Sequence, residues 1–337
     1  MGGHSAEFSI TRASRGAGAA MLLLAVGMLA AAPRAAWAQA DWPKQPIKIL
    51  VGFGAGGSND IIARLVGQKL SERLGQPVVI ENRVGGNGNI AAEAVARAAP
   101  DGYTLGSAPT SIMIHNAALF EKLPYDPLKS FAPIAIVANY PMYLAVNADL
   151  PAKNVAELLA HAKANPAKAN YGGTTGIFQL VSEHFKQRTG VNFEYIPYKS
   201  SAEMVTSLMT NQTMMSFVDP APLMPQVRAG KVRVLAVTAA KRSPDTPDAP
   251  TMEEAGFPGM EAEAFSAIVA PAGTPSAIVN RLNAELAAIV KLPDVAERFK
   301  QLAANPFTIA PDAFAAFVAR EIPRWKAIAE KAGIKPQ

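Results

Sequence analysis

One junction constrains the fold of this chain more than any other: Ile47-Lys-Ile-Leu-Val-Gly-Phe-Gly-Ala-Gly-Gly-Ser-Asn-Asp60. Residues 47–51 read as a buried strand, and 58–74 as a helix with Ile61, Ile62, Leu65, Val66 and Leu70 on one face. Between them, Gly52, Gly54, Gly56 and Gly57 keep side chains off the turn. Backbone N–H groups are then bare at a helix N-terminus, which carries roughly half a positive charge and about four donors without intrahelical partners. Such a turn accepts a carboxylate or a phosphate. Ser58 is expected to cap the helix, and Gly75 with Pro77 to end it.

The strand–turn–helix order repeats. Strands are expected at 78–80 and 103–106, and a second glycine-rich turn, Gly85-Gly-Asn-Gly-Asn89, opens a helix over 90–99. Two apolar runs at 134–138 and 142–146, parted only by Asn139-Tyr-Pro141, mark a change of character. Beyond them, helices at 155–164, 177–188, 202–210 and a short one reaching Ala229 alternate with strands at 169–172, 192–197, 214–218 and 232–237. Residues 242–258 are crowded with proline and read as a connection. A strand at 264–269 and helices near 276–290, 294–303 and 312–332 come next, the last bent at Pro323. This alternation implies an α/β fold with largely parallel sheets flanked by helices. Three terminal helices with one strand do not make a sheet domain, so they are expected to pack back on the first sheet. The expected lobes are 41–141 with 257–337, and an inserted 142–256.

The first 38 residues read as an export signal. Arg12 and Arg15 precede an uncharged run at 17–32, too short for a spanning helix of about 20 residues. Ala36-Trp37-Ala38 then supplies a small-x-small cleavage pattern, so cleavage is expected after Ala38 and the mature protein in the periplasm. An uncleaved anchor is the alternative. The chain has no cysteine, so no disulfide and no lipid-modified cysteine tether can form. Without Arg12, Arg15, Arg34 and Glu7 of the signal, the formal net charge of +5 becomes +3, and +3 spread over the chain is no nucleic-acid signature.

Gly52-x-Gly54-x-x-Gly57 also matches the dinucleotide fingerprint, with Glu81 where a ribose ligand belongs. Export argues against it, as does Asp60 in the first helical turn; no cofactor is expected. Asp60 can be a simple helix-end carboxylate, or a partner for a ligand ammonium or ligand-bound water. Three further turns are rich in small hydroxyl residues and precede helices: 107–111, 172–175 and 198–201. Any one of them is explained by helix capping. Four together at strand ends imply a polar, anion-accepting cleft. Catalysis finds little support. After the signal only His115, His161 and His184 remain, no pair has metal-ligand spacing, and no G-x-S-x-G elbow is present. Asp219, at the end of a strand, reads as a general base, a ligand-orienting group or a helix cap. An exported enzyme using Asp219 or Asp60 as base is a minor reading.

Several segments resemble the tripartite tricarboxylate transporter receptors, the Bug family. They include Val51-Gly-Phe-Gly-Ala-Gly-Gly-Ser-Asn-Asp60, Leu74-Gly-Gln-Pro-Val-Val-Ile-Glu-Asn-Arg83, Pro100-Asp-Gly-Tyr-Thr-Leu105 and Leu123-Pro-Tyr-Asp-Pro127. Ile196-Pro-Tyr-Lys199, Ala229-Gly-Lys-Val-Arg-Val-Leu-Ala-Val237 and Ala270-Pro-Ala-Gly-Thr-Pro275 continue it in order. The resemblance implies a two-lobed type II periplasmic binding protein, with a cleft between lobes that closes on a small carboxylate. It implies delivery to a permease of one large and one small subunit; a membrane sensor kinase is the alternative partner. A monomer is expected. In the family, the loop after the first strand and the loop after the strand near Tyr171 hold the carboxylate. The second loop departs here, reading Gly172-Gly-Thr-Thr-Gly-Ile-Phe-Gln179, and the usual Tyr-Lys-Gly becomes Tyr198-Lys199-Ser200. The added Ile177 and Phe178 favour a solute less polar than a di- or tricarboxylate, an aromatic one included. The expected ligand-binding set is Phe53, Gly54, Ala55, Gly56, Gly57, Ser58 and Asp60, then Thr110 and Ser111. Gly172, Gly173, Thr174, Thr175, Phe178, Tyr198 and Asp219 complete it.

Overall fold

Strand β1 (Ile47–Val51) forms where the sequence concentrates apolar residues, and Ile47, Ile49, Leu50 and Val51 are all buried. It opens a computed structural model that describes residues 1–3, 42–174, 176–331, 333–334 and 336. Met1–Lys44 and Gln45–Gln337 are separate units, and all the described strands and helices belong to the second. Apart from residues 1–3, the expected signal lies outside the described residues, as does its cleavage site.

Helix α1 (Ser58–Leu74) ends at Gly75, whose φ of 67° is the left-handed conformation that closes many helices. Its start differs from expectation. Gly57 is the capping position, with extended backbone, and Ser58 is already the first helical residue. The Ser58 hydroxyl makes its bond outside this helix. Strand β2 (Val78–Asn82), helix α2 (Asn89–Ala96) and strand β3 (Thr104–Ser107) come next. Both β2 and β3 lie parallel to β1, one on each side. After β3 the chain makes a π turn (Ser111–His115) and the one-turn helix α3 (Asn116–Leu119).

Strands β4 (Phe131–Pro141) and β5 (Tyr143–Asn147) are parted by Met142 alone, yet they belong to different sheets. Beyond β5 come α4 (Val155–Ala164), β6 (Asn170–Gly173), α5 (Ile177–Thr189), β7 (Glu194–Pro197) and α6 (Ser201–Met209). Strand β8 (Ser216–Val218), helix α7 (Pro220–Arg228) and strand β9 (Val232–Val237) complete this section. The chain then returns through β10 (Glu263–Pro271), α8 (Ser276–Ile289), α9 (Pro293–Gln301), the two-residue β11 (Asn305–Pro306) and α10 (Pro311–Lys331).

The larger sheet runs β11-β4-β10-β3-β1-β2. Its β2-β1-β3 part is parallel, while β10 lies antiparallel to both β3 and β4, and β11 antiparallel to β4. Strand β10 is buried from Ala264 to Pro271, as a strand covered on both faces must be. Helices α8 and α10 pack against β4, and α8 also against α1. In the other sheets, β5 pairs antiparallel with β8 and β9, and β6 pairs parallel with β7. A parallel bridge from Tyr171 to Met215 joins β6 to the residue preceding β8.

Candidate functional site

Four turns leave the C-terminal ends of β1, β3, β6 and β7, and all four meet. A pocket of about 20 Å³ lies between them. Phe53, Gly54, Gly57, Ser58, Asn59 and Asp60 line it from the first turn, and Ser111 from the second. Thr174 and Phe178 come from the third, Ser200 and Ser201 from the fourth. The turns touch through backbone. Gly54 N–H donates to the Lys199 carbonyl at 3.2 Å, and a side chain at Gly54 would meet Ser200 Cβ at 3.0 Å. Gly176 similarly lies on Ser111, where a Cβ would collide with its hydroxyl.

The donors of the first turn divide into engaged and open. Gly56 N–H donates to Asp60 Oδ2 at 3.0 Å, and Ser58 N–H to Asp219 Oδ2 at 3.0 Å. Within the described residues no hydrogen bond uses the N–H of Gly57 or Asn59. Both residues line the pocket at the positive end of α1, where free N–H groups favour anions.

Asp60 is a brace. Arg64 Nε and Gly56 N–H reach Oδ2 at 3.0 Å each, while Arg64 Nη2 and Asn82 Nδ2 reach Oδ1 at 2.9 Å each. Burial alone would raise this carboxyl, but the bonds from Arg64, Asn82 and Gly56 outweigh it and hold it below the usual range. Its acceptor capacity is taken up within the fold, so a role toward a ligand ammonium does not fit.

Asp219 differs from expectation. It flanks the start of α7 but makes no capping bond to it, and it does not line the pocket. Its carboxylate reaches across to the start of α1, while Ser58 Oγ accepts Ala221 N–H of α7 at 3.3 Å. The N-termini of α1 and α7 therefore face each other with Asp219 between them. Burial pushes the Asp219 carboxyl up, with the Ser201 and Ser58 hydroxyls and the Ser58 N–H only partly offsetting it. Oδ1 has no hydrogen-bond partner among the described residues.

Other expected residues fall outside the pocket for packing reasons. The Thr110 hydroxyl accepts Phe265 N–H at 2.6 Å and so extends the edge of β10. Ala55 is exposed, and Gly56 faces Ala202. Gly172 and Gly173 lie against the rings of Tyr198 and Tyr195, where a Cβ would come within 3.1 Å and 2.9 Å of ring carbons. Thr175 lies outside the described residues. Tyr198 lines a second, larger chamber of about 280 Å³, which shares Phe53 and Thr174 with the inner pocket.

Asn59, Ser200 and Ser201 are lining residues that the sequence reading does not single out. Ser200 and Ser201 sit in a hydroxyl turn that it does mark, and Asn59 lies within the first loop, Gly54–Asp60, that the family resemblance implicates. The dinucleotide pattern has no room for a pyrophosphate in the inner pocket, and Glu81 is ion-paired with Lys48 at 3.0 Å. His115 is fully buried edge-on against Trp325, and burial lowers its pKa to about 3, so it is neutral near pH 7.

A family model described as "Tripartite tricarboxylate transporter family receptor" matches residues 62–334. The protein BugT of Bordetella pertussis is 34% identical over 322 residues, covering 93% of this chain and 98% of BugT. Among solved structures, R. palustris Rpa4515 with adipate superposes with a TM-score of 0.84 at 36% identity, covering 88% of this chain and all of that one. MatC from Rhodopseudomonas palustris with bound malate gives 0.82 at 31% identity, covering 85% and 99%.

Proposed function

The chain belongs to the tripartite tricarboxylate transporter receptor family, whose solved relatives are periplasmic binding proteins, and from this we propose that it captures a small carboxylate for uptake. One observation carries the carboxylate assignment. The inner pocket offers open N–H groups at a helix N-terminus together with hydroxyls, while its one carboxylate, Asp60, is saturated by four contacts from N–H groups. An anion is stabilised there and a cation is not. The adipate and malate bound by two neighbours support the same class.

Finer features complete the proposal. The signal is removed after Ala38, and the mature protein works as a monomer. Residues 41–141 and 257–337 make one lobe and 142–256 the other, a division supported by the change of sheet at Met142. The lobes close on the solute, return it unchanged and present it to a permease of one large and one small subunit. Among the described residues no helix is long and apolar enough to cross a membrane.

Thermal melting of protein beginning at Ala40, against a panel of carboxylates, tests this. At 100 times its dissociation constant a ligand adds about 2.7 kcal/mol, which raises the midpoint by several degrees. A shift with carboxylates and none with sugars or amines is expected; the reverse pattern contradicts the reading.

A further inference from the structure

The two cavities differ in size by enough to dictate how a solute divides between them. The inner pocket, about 20 Å³, holds one water-sized group, since a single water needs about 10–15 Å³. It can take the tip of a carboxylate and nothing more. The body of any solute anchored there must lie in the adjoining chamber of about 280 Å³. An apolar cavity of about 150 Å³ already accommodates a benzene ring. The chamber is therefore much larger than a four-carbon chain requires.

Its walls are flat and aromatic. Phe53, Tyr195 and Tyr198 contribute rings, and Gly85, Gly86 and Gly88 contribute backbone. Tyr195 is fixed in place, stacked on Tyr171 with ring centroids 5.2 Å apart and donating its hydroxyl to the Thr174 carbonyl at 3.1 Å. Burial pushes its phenol up to about 12, so the ring stays neutral. Phe178, which suggested an aromatic solute from the sequence, faces the inner pocket instead.

The charge of the chamber is one-sided. Among the described residues, Lys199 is the only lining residue that carries a charge near pH 7, and no aspartate or glutamate lines it. Among the same residues the side chains of Lys199, Gln179 and Asn87 make no hydrogen bond or ion pair. One ammonium and two amides thus belong to lining residues and have uncommitted polar ends. Planar walls favour a ring, and an unpaired cation favours an anion.

Resting on the receptor reading, we propose that the outer chamber is a second subsite selecting a ring-bearing body with a second anionic group, met by Lys199, Gln179 and Asn87. The solute would be an aromatic dianion anchored by one carboxylate in the inner pocket, with the second facing Lys199.

Calorimetric titration with benzene-1,4-dicarboxylate, benzoate and succinate tests this on wild type and Lys199→Met. The expected order is the aromatic dianion tightest, at least about tenfold tighter than succinate, a difference of about 1.4 kcal/mol. Lys199→Met should weaken the aromatic dianion about tenfold and leave benzoate within about twofold, a split that loss of general packing would not produce. Succinate binding as tightly as the aromatic dianion overturns the proposal and leaves the receptor reading standing, as does an equal loss for both aromatic ligands in the variant. If none of the three binds, and the wider carboxylate panel gives no shift either, both fall.

Discussion

Asp60 and Asp219 sit at the same end of α1, and their surroundings drive their protons in opposite directions. Asp60 is buried among Arg64, Asn82 and Gly56 N–H, so its charged form is favoured; that stabilisation is present above the ordinary carboxyl pKa of about 3.9 and is lost as pH falls through the lower folded value. Asp219 has one backbone donor on Oδ2 and none on Oδ1, and its neutral form is favoured. For a raised carboxyl the sign reverses: its contribution is complete below about pH 3.9 and declines as pH rises through the folded value. Asp219→Asn keeps an acceptor for Ser58 N–H and removes the buried charge. Its melting midpoint should exceed that of wild type at pH 7, with the advantage gone near pH 3. A midpoint below wild type at pH 7, with the deficit disappearing in acid where Asp219 is protonated, would show that the charge itself is needed. Arg64, four residues on, is a partner of Asp60 that local spacing makes legible, but Asn82 lies 22 residues from Asp60 and Ser58 161 residues from Asp219, so the rest was not. Beyond Arg64, what local pattern could reveal was the helix end and its glycines.

At the scale of elements, the turn after β1 is shaped by what passes beneath it. A Cβ on Gly52 would stand 2.7 Å from Gly88 Cα and 3.0 Å from Gly88 O, both backbone atoms that cannot rotate away. Gly52→Ala should therefore force the two glycine-rich turns apart and cost about 1–3 kcal/mol, as overpacking does. Urea unfolding would register this as a lower midpoint with an unchanged slope; an unaltered midpoint would mean that the turns are not in contact in solution. Elements with strong local signals were legible, among them α1 with its Gly75 stop and β9 at 232–237. The insertion of β10 between β3 and β4 was not, since strand order depends on pairings across more than a hundred residues. Nor was the start of α1, where the Ser58 hydroxyl accepts Ala221 N–H of α7 instead of an N–H of its own helix.

For the whole molecule, the central claim is that four turns from distant parts of the chain build one carboxylate site. The sequence indicated the convergence, because each turn alone is an ordinary helix start while four together at strand ends are not. It could not separate lining residues from packing residues. Thr110, Gly172 and Gly173 have the composition of a binding turn but do not line the inner pocket; Thr110 bonds to β10, and the two glycines lie against tyrosine rings. Gly57 is the position where the claim can be tested with least disturbance. Its φ of −79° and ψ of 163° suit any residue, and a Cβ there would meet nothing closer than Ser201 Oγ at 3.7 Å. Gly57→Asp should fold as wild type while placing a carboxylate at the open N–H groups of α1. Calorimetric titration of this variant with the carboxylate that shifts the wild-type midpoint furthest is the most direct measurement. No detectable heat of binding, with a melting midpoint near that of wild type, is the result expected; wild-type affinity would contradict the assignment of the site.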